Sequence, residues 1–75
     1  MKELLQYIVS KIVDEPDKIV INESARNGAI LYELSVASDD MGRVIGKNGK
    51  TAKAIRDVVK IIAIKEHKKV IVDIV

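Results

Sequence analysis

Three patterns in this 75-residue chain predict an α+β fold, with three strands backed by three helices. Aliphatic residues recur at helical spacing near the N-terminus, β-branched and alternating runs follow, and a second helical region is interrupted once by a pair of glycines. Leu4, Leu5, Ile8, Val9, Ile12 and Val13 lie on one helical stripe, and Pro16 stops the pattern, so a helix is expected over residues 2–14. Ile19-Val20-Ile21 is a short β-branched run, followed by an expected polar turn from Asn22 to Gly28. Ile30, Tyr32, Leu34 and Val36 then alternate with Leu31, Glu33 and Ser35, the period of a strand with one buried face.

Beyond Val36, Ser38 or Asp39 is placed to cap a short helix over residues 40–45, with Asp40 beside them in the same role. Gly46 and Gly49 bracket a break. A longer helix is expected from Lys50 to about Glu66, with Ala52, Ile55, Val59 and Ile62 on one stripe, and Val70 to Val75 closes the chain as a strand. The order is α-β-β-α-α-β. A chain of this length makes one domain, residues 1–75, and must fill its core densely because small domains bury a smaller share of their surface. The 48% apolar content, mostly Ile, Val, Leu and Ala, meets that need.

Composition excludes several function classes. Tyr7 and Tyr32 are the only aromatics, which argues against modules that stack bases on aromatic platforms. No cysteine is present, so disulfides and thiolate metal sites are excluded, and a cytoplasmic setting is expected. The N-terminus lacks the uninterrupted apolar run of a signal peptide, and no stretch is long enough to cross a membrane.

The net charge of +2 is small, but it is unevenly distributed. Residues 1–42 hold four basic side chains against eight acidic ones. Residues 43–60 hold Arg43, Lys47, Lys50, Lys53, Arg56 and Lys60 against Asp57 alone. One basic stretch in an otherwise acidic-to-neutral chain is the footprint of a face that meets a polyanion. A solvated basic helix face is the plain alternative.

The glycine pair lies inside this stretch. A Gly-x-x-Gly spacing alone is a weak signal, since Gly46 can simply end a helix as a left-handed C′ residue. Its setting adds weight: Val44 and Ile45 precede it, Lys47 and Asn48 lie within it, and Lys50 follows. Glycines allow a sharp turn and close approach of another backbone, and the next helix directs free N–H groups and its positive dipole end toward the same place. Together these describe a phosphate-contacting loop.

Val44-Ile45-Gly46-Lys47-Asn48-Gly49-Lys50-Thr51 resembles the I-G-x-x-G signature of KH domains, and the element order resembles their type II arrangement. The Met1-Lys2-Glu3-Leu4-Leu5 helix, the Arg43-Val44-Ile45-Gly46 approach and the Ala54-Ile55-Arg56 segment are similar to small stand-alone bacterial KH proteins of the KhpA type, over nearly the whole chain. The resemblance implies a single-stranded RNA-binding protein that clamps about four nucleotides and acts as an RNA chaperone or post-transcriptional regulator. It implies a groove with Val44, Ile45 and the loop on one side and a strand on the other. Lys47 and Lys50 would meet phosphate, Asn48 would hydrogen-bond, and Arg43, Lys53 and Arg56 would make flanking contacts. No cofactor, metal or small-molecule substrate is implied.

Two decoys are set aside. Gly49-Lys50-Thr51 looks like the tail of a nucleotide-binding P-loop, but the required upstream glycine position is Val44. His67, the only histidine, falls at an expected helix-to-strand turn with no metal or catalytic partner, so no enzyme activity is expected. A rival function is an interaction module. Ala54, Val58, Ile61 and Lys65 form a second set along the long helix, which reads either as the margin of a wide core stripe or as a dimer surface. The resemblance favours Val58 and Ile61 as interface residues in a homodimer, or in a pair with a larger Jag-like KH protein.

Overall fold

The N-terminal apolar stripe forms helix α1 (Lys2–Ser10), four residues shorter than its periodicity predicts. The computed structural model describes residues 1–75 and supplies the reason. The backbone N–H groups of Asp14 and Glu15 donate to the Asp40 carboxylate at 3.1 Å each instead of to helix carbonyls. Ile12 and Val13 therefore leave the helix in a tight turn, yet Val13 still reaches the core at 8% exposure. A single 3-10 turn at Pro16–Lys18 leads into the sheet.

Strand β1 (Val20–Arg26) is much longer than the Ile19-Val20-Ile21 run, and the turn expected over Asn22–Gly28 shrinks to Asn27-Gly28. Asn22 to Arg26 have weak strand propensity and are exposed. They are strand because they pair antiparallel with β2 (Ala29–Ser35), from Val20 opposite Ser35 to Arg26 opposite Ala29. Asn27 and Gly28 both take positive φ, the two-residue turn whose twist matches a hairpin. The Asn-Gly pair was the signal for this register.

After β2, a 3-10 turn at Ser38–Asp40 leads into α2 (Met41–Ile45). A second turn at Lys47–Gly49 leads into α3 (Lys50–Lys65), which returns the chain to β3 (Val70–Ile74). The three-stranded sheet has the order β1-β2-β3, with β1 antiparallel and β3 parallel to β2. The expected α+β architecture and element order are thus present, as in a single KH domain. The core joins Leu5, Val9 and Val13 to Ile21, Tyr32, Leu34 and Val72 of the sheet, closed by Val44, Ile55 and Val59. On α3 the buried stripe is Ala52, Ile55, Val59 and Ala63, with Ile62 at its margin. Tyr32 is 3% exposed, and burial, with the Glu23, Glu3 and Glu66 carboxylates, pushes its hydroxyl pKa above the usual phenol value.

Ile30 donates its N–H to Lys69 C=O, and Val75 donates to Leu34 C=O. In a parallel ladder this phase turns the odd-numbered residues of β3 toward β2 and leaves the backbone groups of Val70, Val72 and Ile74 on the open edge.

Candidate nucleic-acid interface

The interface begins where α2 ends. The Gly46 N–H donates to Gly42 C=O at 2.9 Å, and Gly46 itself swings to φ 76° and ψ 175°, which ends the helix. A Cβ placed on Gly46 would collide with the Thr51 side chain and lie 2.8 Å from the Thr51 backbone nitrogen. Gly46 is therefore required by contact as well as by conformation. Gly49 differs: it is left-handed at φ 74° and ψ 12°, but a Cβ there would meet open space. Between them, Asn48 is left-handed too, at φ 57° and ψ 28°, a conformation that Asn tolerates better than most residues. Asn48 thus shapes the loop as well as offering its amide.

The backbone N–H groups of Lys47 and Asn48 have no partner within the chain. They sit beside the N-terminus of α3, where the helix dipole is positive. Lys47 and Lys50 are exposed and make no ion pair, so both charges stand free at the loop. The open space over Gly49, the free N–H groups and these cations make a site suited to an extended anionic backbone.

The remaining expected residues separate. Val44 is fully buried in the core and supports the loop from beneath, so it presents no surface to a ligand; this corrects its place on the groove wall. Ile45, by contrast, is 40% exposed beside the loop. Arg43 Nη1 lies 2.7 Å from Asp14 Oδ1, an exposed pair that ties α2 to the segment after α1. Lys53 is engaged by Asp57 one turn on, at 2.8 Å. Arg56 points away from the loop and donates from Nε to Val72 C=O at 3.2 Å, reaching the open edge of β3.

Asp40 is the positioning residue that the sequence did not reveal. It was expected to cap α2, but neither it nor Asp39 makes a side-chain cap hydrogen bond. The Asp40 carboxylate is 2% exposed and instead fixes Asp14 and Glu15 across the fold. Its partners lie 26 and 25 residues upstream, beyond the reach of any local pattern. Arg43–Asp14 adds a second tie, so α2 is held from both ends of one turn.

On the outer side of α3, Val58 and Ile61 are 44% and 56% exposed, beside exposed Ala54. They are not the margin of the core stripe. His67 is exposed, as expected, but has a defined role: at φ 57° it is the left-handed C′ residue of α3. Its N–H donates to Ile64 C=O, and the Lys68 N–H reaches back to Ala63 C=O, the paired bonds of a Schellman cap.

Residues 2–74 match the family model described as KhpA/KhpB, KH domain. The chain is 52% identical over 75 residues to the RNA-binding protein KhpA of Clostridium perfringens (strain 13 / Type A), with both chains fully covered. It is 49% identical over 75 residues to the protein of the same name from Caldanaerobacter subterraneus subsp. tengcongensis, again with full coverage of both. Against that of Chlamydia trachomatis serovar D it is 43% identical over 74 residues, covering 99% of this chain and 95% of the other.

Proposed function

As this chain belongs to the KhpA/KhpB family of KH domains, we propose that it binds single-stranded RNA, with the Gly46–Gly49 loop clamping the backbone of about four nucleotides. The observation that carries this reading is the loop itself. Two unpartnered backbone N–H groups and two free lysines converge on open space at the head of a 16-residue helix. Lys47 and Lys50 neutralise phosphate, the Lys47 and Asn48 N–H groups donate to phosphate oxygen, and Ile45 offers the neighbouring base an apolar contact. Arg43 and Lys53 reach the strand only by exchanging their carboxylate partners for phosphate. The loop offers binding groups alone, and we assign no catalytic step to it.

Such a clamp grips backbone and takes limited account of sequence, so its affinity alone is modest. A cytoplasmic RNA chaperone or post-transcriptional regulator fits this behaviour, and no helix is long and apolar enough to cross a membrane. The test replaces Lys47 and Asn48 by Asp, keeps both glycines, and measures binding to a mixed single-stranded RNA pool across a salt series. Weaker binding and a salt slope shallower by about 0.7 per lost phosphate contact are expected. Affinity and slope equal to the unmodified chain remove the loop from the site.

A second reading rests on Val58 and Ile61. Large aliphatics exposed side by side on a helix are suited to a partner surface, and we propose that they pair two copies of this chain or join it to a larger Jag-like KH protein. Pairing would couple two weak clamps through effective concentration. Sedimentation of Ile61→Asp at micromolar concentration is expected to give the monomer mass with the fold intact; an unchanged mass rejects the surface. Self-association together with an unmodified chain that binds no RNA favours an interaction module with little RNA binding of its own.

A further inference from the structure

The sheet has a second face. Ile21, Tyr32, Leu34 and Val72 turn into the core, so strand alternation puts Arg26, Leu31, Glu33, Ile71 and Asp73 on the side away from the helices. That side is banded. At the hairpin end, Arg26 and Lys69 line a shallow recess of about 330 Å³ together with Leu31 and Ile71. Leu31 stands beside Ile71, which is 45% exposed, and two residues further along the strands Glu33 stands beside Asp73. A basic, an apolar and an acidic row thus follow one another at about 6.7 Å, the two-residue repeat of a strand.

None of these four charges has an ion-pair partner within the chain. Carboxylates side by side on neighbouring strands repel each other, which costs an isolated domain stability. The order of the rows restricts what can answer them. A polyanion meets repulsion at Glu33 and Asp73, and a polycation meets it at Arg26 and Lys69. A partner that satisfies both rows carries the same rows in reverse order, and a second copy of this chain does. The second copy is related by a two-fold axis that lies in the interface and crosses the strands at Leu31 and Ile71. Each apolar row then meets its own counterpart, Lys69 faces Asp73 of the other copy, and Arg26 lies one strand over from Glu33 of the other copy. Such self-complementarity is the mark of an isologous contact, and two sheets stacked with nearly aligned strands are a common arrangement.

We propose that the outer sheet face is a self-pairing surface, with Leu31 and Ile71 on its two-fold axis and Arg26 and Lys69 set against Glu33 and Asp73 of a second copy. The contact measures about 14 Å by 20 Å, three strands by three rows, which makes it a weak and reversible one. Val58 and Ile61 belong to α3, on the other side of the sheet, so the two surfaces do not compete and neither reading depends on the other.

The test is sedimentation equilibrium up to millimolar concentration in the Ile61→Asp background, which sets the α3 surface aside. Three forms are compared: this background alone, with R26E/K69E added, and with E33K/D73K added. The background is expected to rise above the monomer mass as concentration increases, and to do so less at high salt. Each charge variant places like charges against each other in both outer rows, so its association is expected to weaken at least about tenfold. An equimolar mixture of the two restores opposite charges in both rows and is expected to pair at least as well as the background. Ile71→Lys sets a charge against its own counterpart at the axis and is expected to abolish pairing, with a thermal melt close to that of the background. A background that stays monomeric at every concentration overturns the proposal. So does a charge variant that pairs as well as the background, and so does a mixture that pairs no better than its components.

Discussion

Gly46 and Thr51 meet so closely that the space for a Cβ on Gly46 is already filled, down to the Thr51 backbone nitrogen at 2.8 Å. The two glycines of the loop therefore have different tolerances. Gly46→Ala combines a left-handed φ with a collision against backbone and is expected to cost at least about 2 kcal/mol. That corresponds to a fall in Tm of roughly 8–16 °C for a domain of this size. Gly49→Ala meets no atom and is expected to cost only about 1 kcal/mol, from its φ alone. Gly49→Asn should cost less still, because Asn accepts the left-handed region. Thermal melts of the three variants check the order.

Asp40→Ala removes the acceptor for two backbone N–H groups and frees the start of α2. The loss is expected to be about 2–3 kcal/mol, with Asp40→Asn intermediate because an amide presents a single oxygen acceptor. Urea titration gives the magnitude. Amide exchange supplies the local signature: the Asp14 and Glu15 protons should exchange faster, while those of β2 change only as far as global stability falls.

Tyr32 sets an alkaline limit. Its folded pKa lies above the unfolded phenol value of about 10, so the unfolded chain loses this proton first as pH rises. The stability it supports is complete below about pH 10 and is lost as pH rises through the folded value. Tyr32→Phe is expected to flatten the decline of Tm above pH 10, with little change in its shape below. Phenolate absorbance near 295 nm should show Tyr32 titrating above the usual phenol value.

His67 holds the left-handed C′ position of α3 without glycine's freedom. His67→Gly is expected to stabilise the domain by about 0.5–1 kcal/mol, raising Tm by roughly 2–8 °C. The same change keeps Lys68 and Lys69 at the head of β3, so RNA affinity should be unaltered in the binding assays above.

The sequence by itself determined the element order, the glycine loop, the basic segment around it and the helix that follows, because these are local patterns: periodicity, two breakers and a run of like charge. It misjudged where α1 stops and how far β1 runs. Helix propensity gave way to Asp40, whose hydrogen bonds reach back across 25 and 26 residues. The polar run Asn22–Arg26 became strand through its pairing with β2, a cross-chain register that only Asn27-Gly28 announced.

Only the tertiary structure decided what each basic residue does. Six cations look alike along residues 43–60, but Asp14 engages Arg43, Asp57 engages Lys53, and Arg56 crosses to Val72. Lys47 and Lys50 remain free at the loop, and Lys60 lines the recess between α3 and β3. Burial likewise separates Val44 from Ile45, adjacent residues of similar hydrophobicity, one fully in the core and one 40% exposed. Charge and hydrophobicity are properties of a residue and can be read in order along the chain. Partnership and exposure depend on which distant segments the fold brings within a few ångströms, and that is set by the packing of the whole.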